Sequence, residues 1–405
     1  MSMRVAYILS STHPNSGSTK AFLAMMEGLR RKGVVPTVIL PDDGGICATL
    51  VESGIDVHVL SFRMNTYPNF RTVKDCLLFL PRTLGRLCLN SLAAWRLRRI
   101  LVQRGVEIVH TNVSVVGIGH RAAHLAGIPH IYHFREYAGL IGYHFLPSAA
   151  CFYRSVRGQL DYNICITKGV QAYHHQSASP RSVVIYDGVC RGDVLLPVVV
   201  RDRYFLFAGR LERVKGLMVL LRAYAAARTV LGEQLPPLLV AGALEEPEYV
   251  AAVRSYIADN DLQTSVQLLG DRDDIYDLMR RAQAIVVPSL SEGFGLCVAE
   301  AMLNGCIVVG ADNTGIREQL DNGQRLMGQP IGFRFTNEGE LSDLLCELSR
   351  CDSDNLEPMR QRAFEAARRL YSVDVNVDNV YALYLEALSK NTCVQLSRYS
   401  TKVLQ

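Results

Sequence analysis

The sequence predicts an α/β protein of two doubly wound, parallel-sheet domains, and three observations carry that reading. At 405 residues the chain is long enough for two hydrophobic cores. In both halves, strand-length apolar runs alternate with stretches of helical periodicity, the pattern of a parallel sheet covered by helices. Some of those runs end in small-residue loops that lead into a helix, where α/β sheets bind their ligands.

The first domain is expected over residues 1–187. A strand near residues 4–9 leads into the turn-rich loop Ser11-Thr12-His13-Pro14-Asn15-Ser16-Gly17-Ser18. The helix after it places Phe22, Met25, Met26 and Leu29 on one face. Further strands are expected at 35–40, 56–60, 107–110, 130–134, 162–166 and 183–186. Between the strands at 56–60 and 107–110 lies a basic amphipathic insert, about residues 63–104. From Arg71 onward it carries Lys74, Arg82, Arg86, Arg96, Arg98, Arg99 and Arg104 against one acid, Asp75, interleaved with leucines and the chain's single tryptophan, Trp95. Cationic, leucine-rich helices of this kind fit an interfacial helix pair on an anionic membrane. The alternative is a domain helix that packs its leucines on the sheet and turns its arginines to water. Nucleic acid is not expected, because the leucines and lone Trp offer no base-stacking row.

The segment Ile131-Tyr132-His133-Phe134-Arg135-Glu136-Tyr137 ends a strand, which makes His133 a cleft candidate, with Arg135, Glu136 and Tyr137 beside it. His13, His110 and His144 are weaker candidates. Residues 139–157, rich in Gly, Tyr and Phe, are expected to line a pocket. The domain boundary is placed near Asp187-Gly188-Val189, with a composition shift at Leu195-Leu196-Pro197.

The second domain, residues 200–372, repeats the alternation. Its strands are expected at 204–208, 237–240, 266–269, 284–287 and, last, 307–309. A closing helix within 373–390 puts Val377, Val380, Tyr384 and Leu388 on one face, and residues 391–405 are expected to form a flexible tail.

Two stretches of this domain carry chemistry. In Phe207-Ala208-Gly209-Arg210-Leu211-Glu212-Arg213-Val214-Lys215-Gly216, a strand end is followed by a cation pair between glycines. Arg210 can fork two phosphate oxygens and Lys215 supplies a point charge. In the second, the strand at 284–287 stops at Pro288 and crosses Ser289-Leu290-Ser291-Glu292-Gly293-Phe294-Gly295 to a helix from Leu296. The glycines let backbone approach a ligand, and the free N–H groups of a starting helix suit a diphosphate. Glu292 and Glu300 flank that position, and ionised carboxylates are acceptors matched to vicinal sugar hydroxyls.

Glu292 and Glu300 at this spacing resemble the Glu-x7-Glu signature of retaining glycosyltransferases with the GT-B fold, most like glycosyltransferase family 4. The Gly209–Gly216 segment resembles the same family's basic diphosphate motif. The resemblance implies two Rossmann-like domains facing a deep cleft. It implies catalytic roles for His133, Arg210, Lys215 and Glu292. It also implies donor contacts from Gly17, Gly209, Asp271, Arg272, Gly293, Phe294, Gly295, Leu296 and Glu300. Gly17 belongs to a loop similar to the family's Gly-Gly loop, with Ser16 in place of the first glycine, and Asp187 stands where the family has Asn. The segment Asp312-Asn313-Thr314-Gly315 resembles its small-residue turn into a helix, and the closing helix looks like one that crosses back to the first domain.

The implied activity is transfer of a hexose from a nucleotide-diphosphate sugar to a lipid-linked or polysaccharide acceptor, without cofactor or metal. An epimerase or hydrolase on the same fold, or a catalytically silent nucleotide-sugar-binding subunit, are the competing readings. A dinucleotide dehydrogenase is disfavoured, because no Gly-x-Gly-x-x-Gly follows the first strand.

Composition agrees with a folded protein: 49% hydrophobic and 20% charged residues are unlike a disordered chain. No apolar run reaches a membrane span, and the first residues read as a strand rather than a signal peptide, so a cytoplasmic protein, peripheral on the inner face of the cytoplasmic membrane, is expected. Eleven cysteines without a Cys-x-x-Cys pair argue against a zinc or disulfide framework. Residues 1–187 carry a balance of +10 and the remainder −6, which points the first domain toward an acidic partner.

Overall fold

The computed structural model describes residues 2–14, 16–67, 73–140, 142–189 and 201–403, with side chains to residue 391. Arg71 and the Leu195-Leu196-Pro197 shift lie outside the described residues. The chain divides into two compact units, residues 1–188 with 376–405, and residues 189–375.

The first unit holds seven strands: β1 (Met3–Ile8), β2 (Val34–Leu40), β3 (Asp56–Val59), β4 (Ile108–Thr111), β5 (His130–Phe134), β6 (Asp161–Cys165) and β7 (Ser182–Val184). They form one parallel sheet in the order β3-β2-β1-β4-β5-β6-β7. Its helices are α1 (Gly17–Arg31), α2 (Cys47–Glu52), α3 (Val73–Gln103), α4 (Ile118–Ala126), α5 (Ala149–Ser155) and α6 (Lys168–Tyr173). With helices on both faces, the central strand β1 is buried throughout Val5–Ile8, which is why it reads as an unbroken apolar run.

The second unit holds β8 (Phe205–Ala208), α7 (Leu217–Leu231), β9 (Leu238–Ala241), α8 (Pro247–Asp259), β10 (Val266–Gly270), α9 (Ile275–Arg281), β11 (Ala284–Val287), α10 (Leu296–Leu303), β12 (Ile307–Ala311), α11 (Thr314–Met327), β13 (Phe333–Phe335), α12 (Glu338–Arg350) and α13 (Glu357–Tyr371). Its sheet is also parallel, in the order β10-β9-β8-β11-β12-β13. Each sheet therefore reverses its winding once, between β1 and β4 and between β8 and β11. At such switch points the loops diverge and leave room for a ligand.

Three expectations need correction. The insert is one helix, α3, rather than a helix pair, and Pro81 lies inside it. Proline removes one i→i−4 hydrogen bond there, but the Leu-, Ala- and Arg-rich residues that follow keep the helix going. The strand at 307–311 is not the last, because three-residue β13 pairs beside it and is too short to show a period. The tail is helical to Val403 within α14 (Val373–Val403), a stretch with neither Gly nor Pro to stop it. In the first unit, α14 sets the Tyr384 hydroxyl 2.6 Å from His110 Nδ1 and packs a Val377 methyl on Gly28, where a Cβ would come within 2.4 Å.

Candidate active site

Both candidate segments of the second domain sit at the switch point of its sheet. The Gly209–Gly216 segment leaves the carboxyl end of β8, and the 288–295 loop leaves that of β11, its sheet neighbour. Two close approaches lock the loops together. Gly216 takes φ +72, and a Cβ there would meet the Pro288 carbonyl oxygen at 2.0 Å. Leu290 N–H donates to the Val214 carbonyl at 2.9 Å.

The result is a direct contact between residues 77 positions apart. Lys215 Nζ donates to Glu292 Oε1 at 2.7 Å, and the Ser289 hydroxyl donates to the same oxygen at 2.8 Å. Burial works against the Lys215 charge, but the Glu292 carboxylate outweighs it and raises the ammonium pKa above its ordinary value. Lys215 retains two further N–H donors, and Glu292 Oε2 makes no hydrogen bond among the described residues. Burial and the Glu292 carboxylate push the Cys297 thiol up to about 12, with Lys215 and Glu300 acting on it as well, so the three charges converge on one turn of α10.

The remaining donor-side residues have the following places. Glu300 lies on α10 and accepts from the Tyr276 hydroxyl at 3.2 Å. Arg210 is half-exposed and ion-paired with Glu212 at 2.6 Å. Gly293, Phe294 and Gly295 form the loop entering α10, with Gly295 at φ +90 before Leu296. Asp271 and Arg272 follow β10, two strands from β8 at the sheet edge, and Arg272 pairs with Asp274 at 2.6 Å. Gly17 opens α1 in the first unit, and Ser16 caps it at φ −68, a conformation that needs no glycine.

Of the residues that hold the loop, the resemblance marked Thr314 and Gly315 but not Gln319. Thr314 Oγ1 accepts from Glu292 N–H at 3.0 Å, and a Cβ on Gly315 would fall 2.6 Å from the Phe294 carbonyl oxygen. Buried Gln319 donates to the carbonyls of Phe294 and Gly295 at 2.6 and 3.0 Å. Nothing in the local sequence marks Gln319, because its importance comes from which loop α11 faces.

The first-unit residues form a second, buried cluster. His133 is fully buried on β5, and its Nδ1 lies 3.3 Å from Arg135 Nη2 and 3.3 Å from His110 Nε2. A guanidinium only donates, so Nδ1 is the acceptor and Nε2 carries the proton, without a partner among the described residues. Arg135 is clamped by Asp187 at 2.5 Å and by Asn112. Glu136 accepts from the Ser114 hydroxyl at 2.6 Å, and burial raises its pKa. Tyr137 packs edge-on against Tyr173, while His13 and His144 are exposed.

Burial, and then the Arg135 charge, lowers His110 to about 3 and His133 well below the ordinary imidazole value. Such groups bind fewer protons folded than unfolded. The stability they contribute is complete above about pH 6.5 and falls as pH drops, by up to about 1.4 kcal/mol per group per pH unit. Trp95 lies in this unit, so its fluorescence in urea titrations between pH 7 and 5 is expected to show a falling midpoint. A flat midpoint would refute the neutral-imidazole assignment.

Two recesses open on α3. One of about 370 Å³ is lined by Ser10, Pro41, Phe62, Arg63, Arg86 and Tyr143 among others, and one of about 290 Å³ by Arg63, Arg82, Arg86 and Leu89. Burial and the charges of Arg63 and Arg82 depress Arg86. Asp75 pairs with Arg82 at 2.7 Å. Metal-type spacing occurs in one group among the described residues, His120, His124 and Asp161, in the first unit.

Two parallel α/β units with paired charges at the switch point of the second define a class, the GT-B-fold glycosyltransferases. Family models agree: "Glycosyl transferases group 1" matches residues 197–369 and "Glycosyl transferase 4-like domain" matches residues 16–188. The chain is a GT-B-fold glycosyltransferase related to both families, with a nucleotide-sugar donor as co-substrate. It is 24% identical over 305 residues to an uncharacterized glycosyltransferase of Methanocaldococcus jannaschii, covering 72% of this chain and 82% of that one. It is 28% identical over 250 residues to the UDP-Gal:alpha-D-GlcNAc-diphosphoundecaprenol alpha-1,3-galactosyltransferase of Escherichia coli, covering 56% and 64%. The Anabaena HepE structure in complex with UDP-glucose superposes with a TM-score of 0.71 at 20% identity, covering 96% of this chain and 99% of that one.

Proposed function

We propose that the protein is a retaining, metal-independent hexosyltransferase that transfers from a nucleotide-diphosphate sugar, a UDP-sugar foremost, to a lipid-linked acceptor. The observation that carries this reading is the Lys215–Glu292 contact at the β8–β11 switch point. Lys215 and Arg210 neutralise the leaving diphosphate, and Glu292 Oε2 holds the donor-sugar hydroxyls while Glu300 holds the ribose. Gly209 supports a ligand role: a Cβ there would meet nothing closer than 3.8 Å, so packing alone does not require glycine. In the reaction the bond from C1 to the diphosphate oxygen breaks and the acceptor oxygen bonds C1 on the same face. The acceptor proton passes to the departing phosphate oxygen.

The acceptor side rests on α3. Arg63 and Arg86, which make no ion pair among the described residues, suit a phosphate-bearing acceptor. On the same helix Leu77, Leu80 and Leu84 are 76, 64 and 53% exposed, which suits a lipid surface. The E. coli relative is named for a diphosphoundecaprenol acceptor. No helix among the described residues is long and apolar enough to cross a membrane, so contact would be peripheral.

The test is a thermal-shift screen against UDP, GDP, ADP and their sugars, since a ligand at 100 times its Kd adds about 2.7 kcal/mol. Turnover with a polyprenyl-diphosphate-linked sugar is then measured with and without Mg²⁺ or Mn²⁺. Binding of a UDP-sugar, acceptor-dependent transfer and metal-insensitive rates are expected. Product without acceptor would instead mark an epimerase or hydrolase, and no nucleotide binding would mark a silent subunit. Equal co-sedimentation with anionic and neutral vesicles would overturn the membrane part.

A further inference from the structure

A second cluster of reactive side chains lies at the opposite edge of the first sheet, at the amino ends of β5 and β6. Asp161, which opens β6, is fully buried and has no Lys or Arg partner; three imidazoles surround it instead. His120 and His124 sit one turn apart on the same face of α4, with Nε2 atoms 3.3 and 2.9 Å from Asp161 Oδ1. His130 opens β5, with Nδ1 3.7 Å from that oxygen. The ligand atoms of His120, His124 and Asp161 all lie within 4.8 Å of one another.

Hydrogen bonding alone leaves this cluster incomplete. His130 is fully buried, its Nε2 lies 2.8 Å from the Thr111 hydroxyl, and its Nδ1 has no partner. With the proton on Nε2, the Nδ1 lone pair faces an anionic carboxylate, which is repulsive. With the proton on Nδ1, 3.7 Å is too long for a hydrogen bond. A cation on the carboxylate and the two α4 imidazoles removes the repulsion in the first case. Bonds of 2.0–2.1 Å to a tetrahedral Zn²⁺ put neighbouring ligand atoms about 3.3 Å apart, against the 3.3 and 2.9 Å from Asp161 Oδ1 to the His120 and His124 Nε2 atoms. Gly158 N–H supports the carboxylate at 3.1 Å. His120 Nε2 also approaches the Ser155 carbonyl at 3.2 Å, a contact it would give up on binding.

We propose that His120, His124 and Asp161 bind one zinc-type divalent cation, with water completing the tetrahedron. Two nitrogens and one carboxylate select tetrahedral Zn²⁺ or Co²⁺ over Mg²⁺ or Ca²⁺, which demand more oxygen ligands. The cation would pin α4 to β6. Within the first unit it sits away from His133 and Arg135, which lie at the opposite, carboxyl ends of the strands, so its role is structural and sugar transfer does not pass through it.

The test uses the full chain, stripped with chelator and titrated with Co²⁺ alone. One equivalent is expected to produce the strong visible bands of tetrahedral Co²⁺, bleached by Zn²⁺, with a rise in melting temperature that Mg²⁺ does not reproduce. His120→Gln and His124→Gln are each expected to abolish the bands. Should either fail to fold, the wild-type spectrum and the other variant still decide. Absence of tetrahedral bands in the wild type, or unchanged affinity in both variants, would overturn the site and leave a hydrogen-bonded His–Asp cluster.

Discussion

Glu292→Gln is expected to lower kcat by about ten- to a hundred-fold or more for each sugar hydrogen bond lost, with a smaller change in donor Kd. A hydrogen bond to a charged group contributes about 1.5–3 kcal/mol, and each 1.36 kcal/mol of barrier is tenfold in rate. The substitution keeps the shape of the side chain but removes the charge that holds Lys215 at 2.7 Å. Lys215→Ala is therefore expected to cost a similar amount, and the double variant much less than the product of the two losses. Residues in contact couple by about 0.5–3 kcal/mol, so a double-mutant cycle on kcat is the measurement. Full activity in Glu292→Gln, or strict additivity, would remove this pair from the proposed site.

The largest stability effect should come from Asp187→Ala. Arg135 is 8% exposed and Asp187 4%, and at 2.5 Å Asp187 is the one carboxylate paired with that guanidinium among the described residues. Truncating the acid strands a buried cation, which typically costs about 3–5 kcal/mol. Removing both charges, as Arg135→Met with Asp187→Leu, should recover most of that loss, because well-packed apolar replacements of a buried pair are often neutral. Urea unfolding followed by Trp95 fluorescence reports on this unit, since Trp95 lies on α3 within it. A midpoint shift in Asp187→Ala no larger than that of the double variant would show that the pair is not worth what its burial implies.

Much of the donor side was legible along the chain because its signals are local. A strand end, a cation between glycines and a helix start fall within ten residues at 207–216, and the two acids of the second motif lie on either side of one glycine-rich loop. The buried strands were legible for the same reason, with ends shifted by a residue or two. What the chain concealed depended on partners distant in sequence. Nothing near His133 shows that it is fully buried against Arg135 and His110. Asp187 read as a boundary residue, and its pairing with Arg135, 52 positions away, appears only when β5 is in place. The insert's leucines read equally as a membrane face or a packing face, and the structure divides them: Leu97 and Leu101 are buried, Leu77 and Leu80 exposed.

Period, glycine placement and charge along the chain were thus enough to predict two α/β domains and to nominate the residue types of a candidate nucleotide-sugar site. Sheet order did the rest. Because β11 pairs with β8 rather than with β10, which precedes it, Lys215 meets Glu292, and because α4, β5 and β6 pack side by side, three histidines gather round Asp161. A one-dimensional pattern records which face a residue takes, but contact between distant residues is chosen by the burial of whole strands and helices against one another, a free energy no short stretch contains.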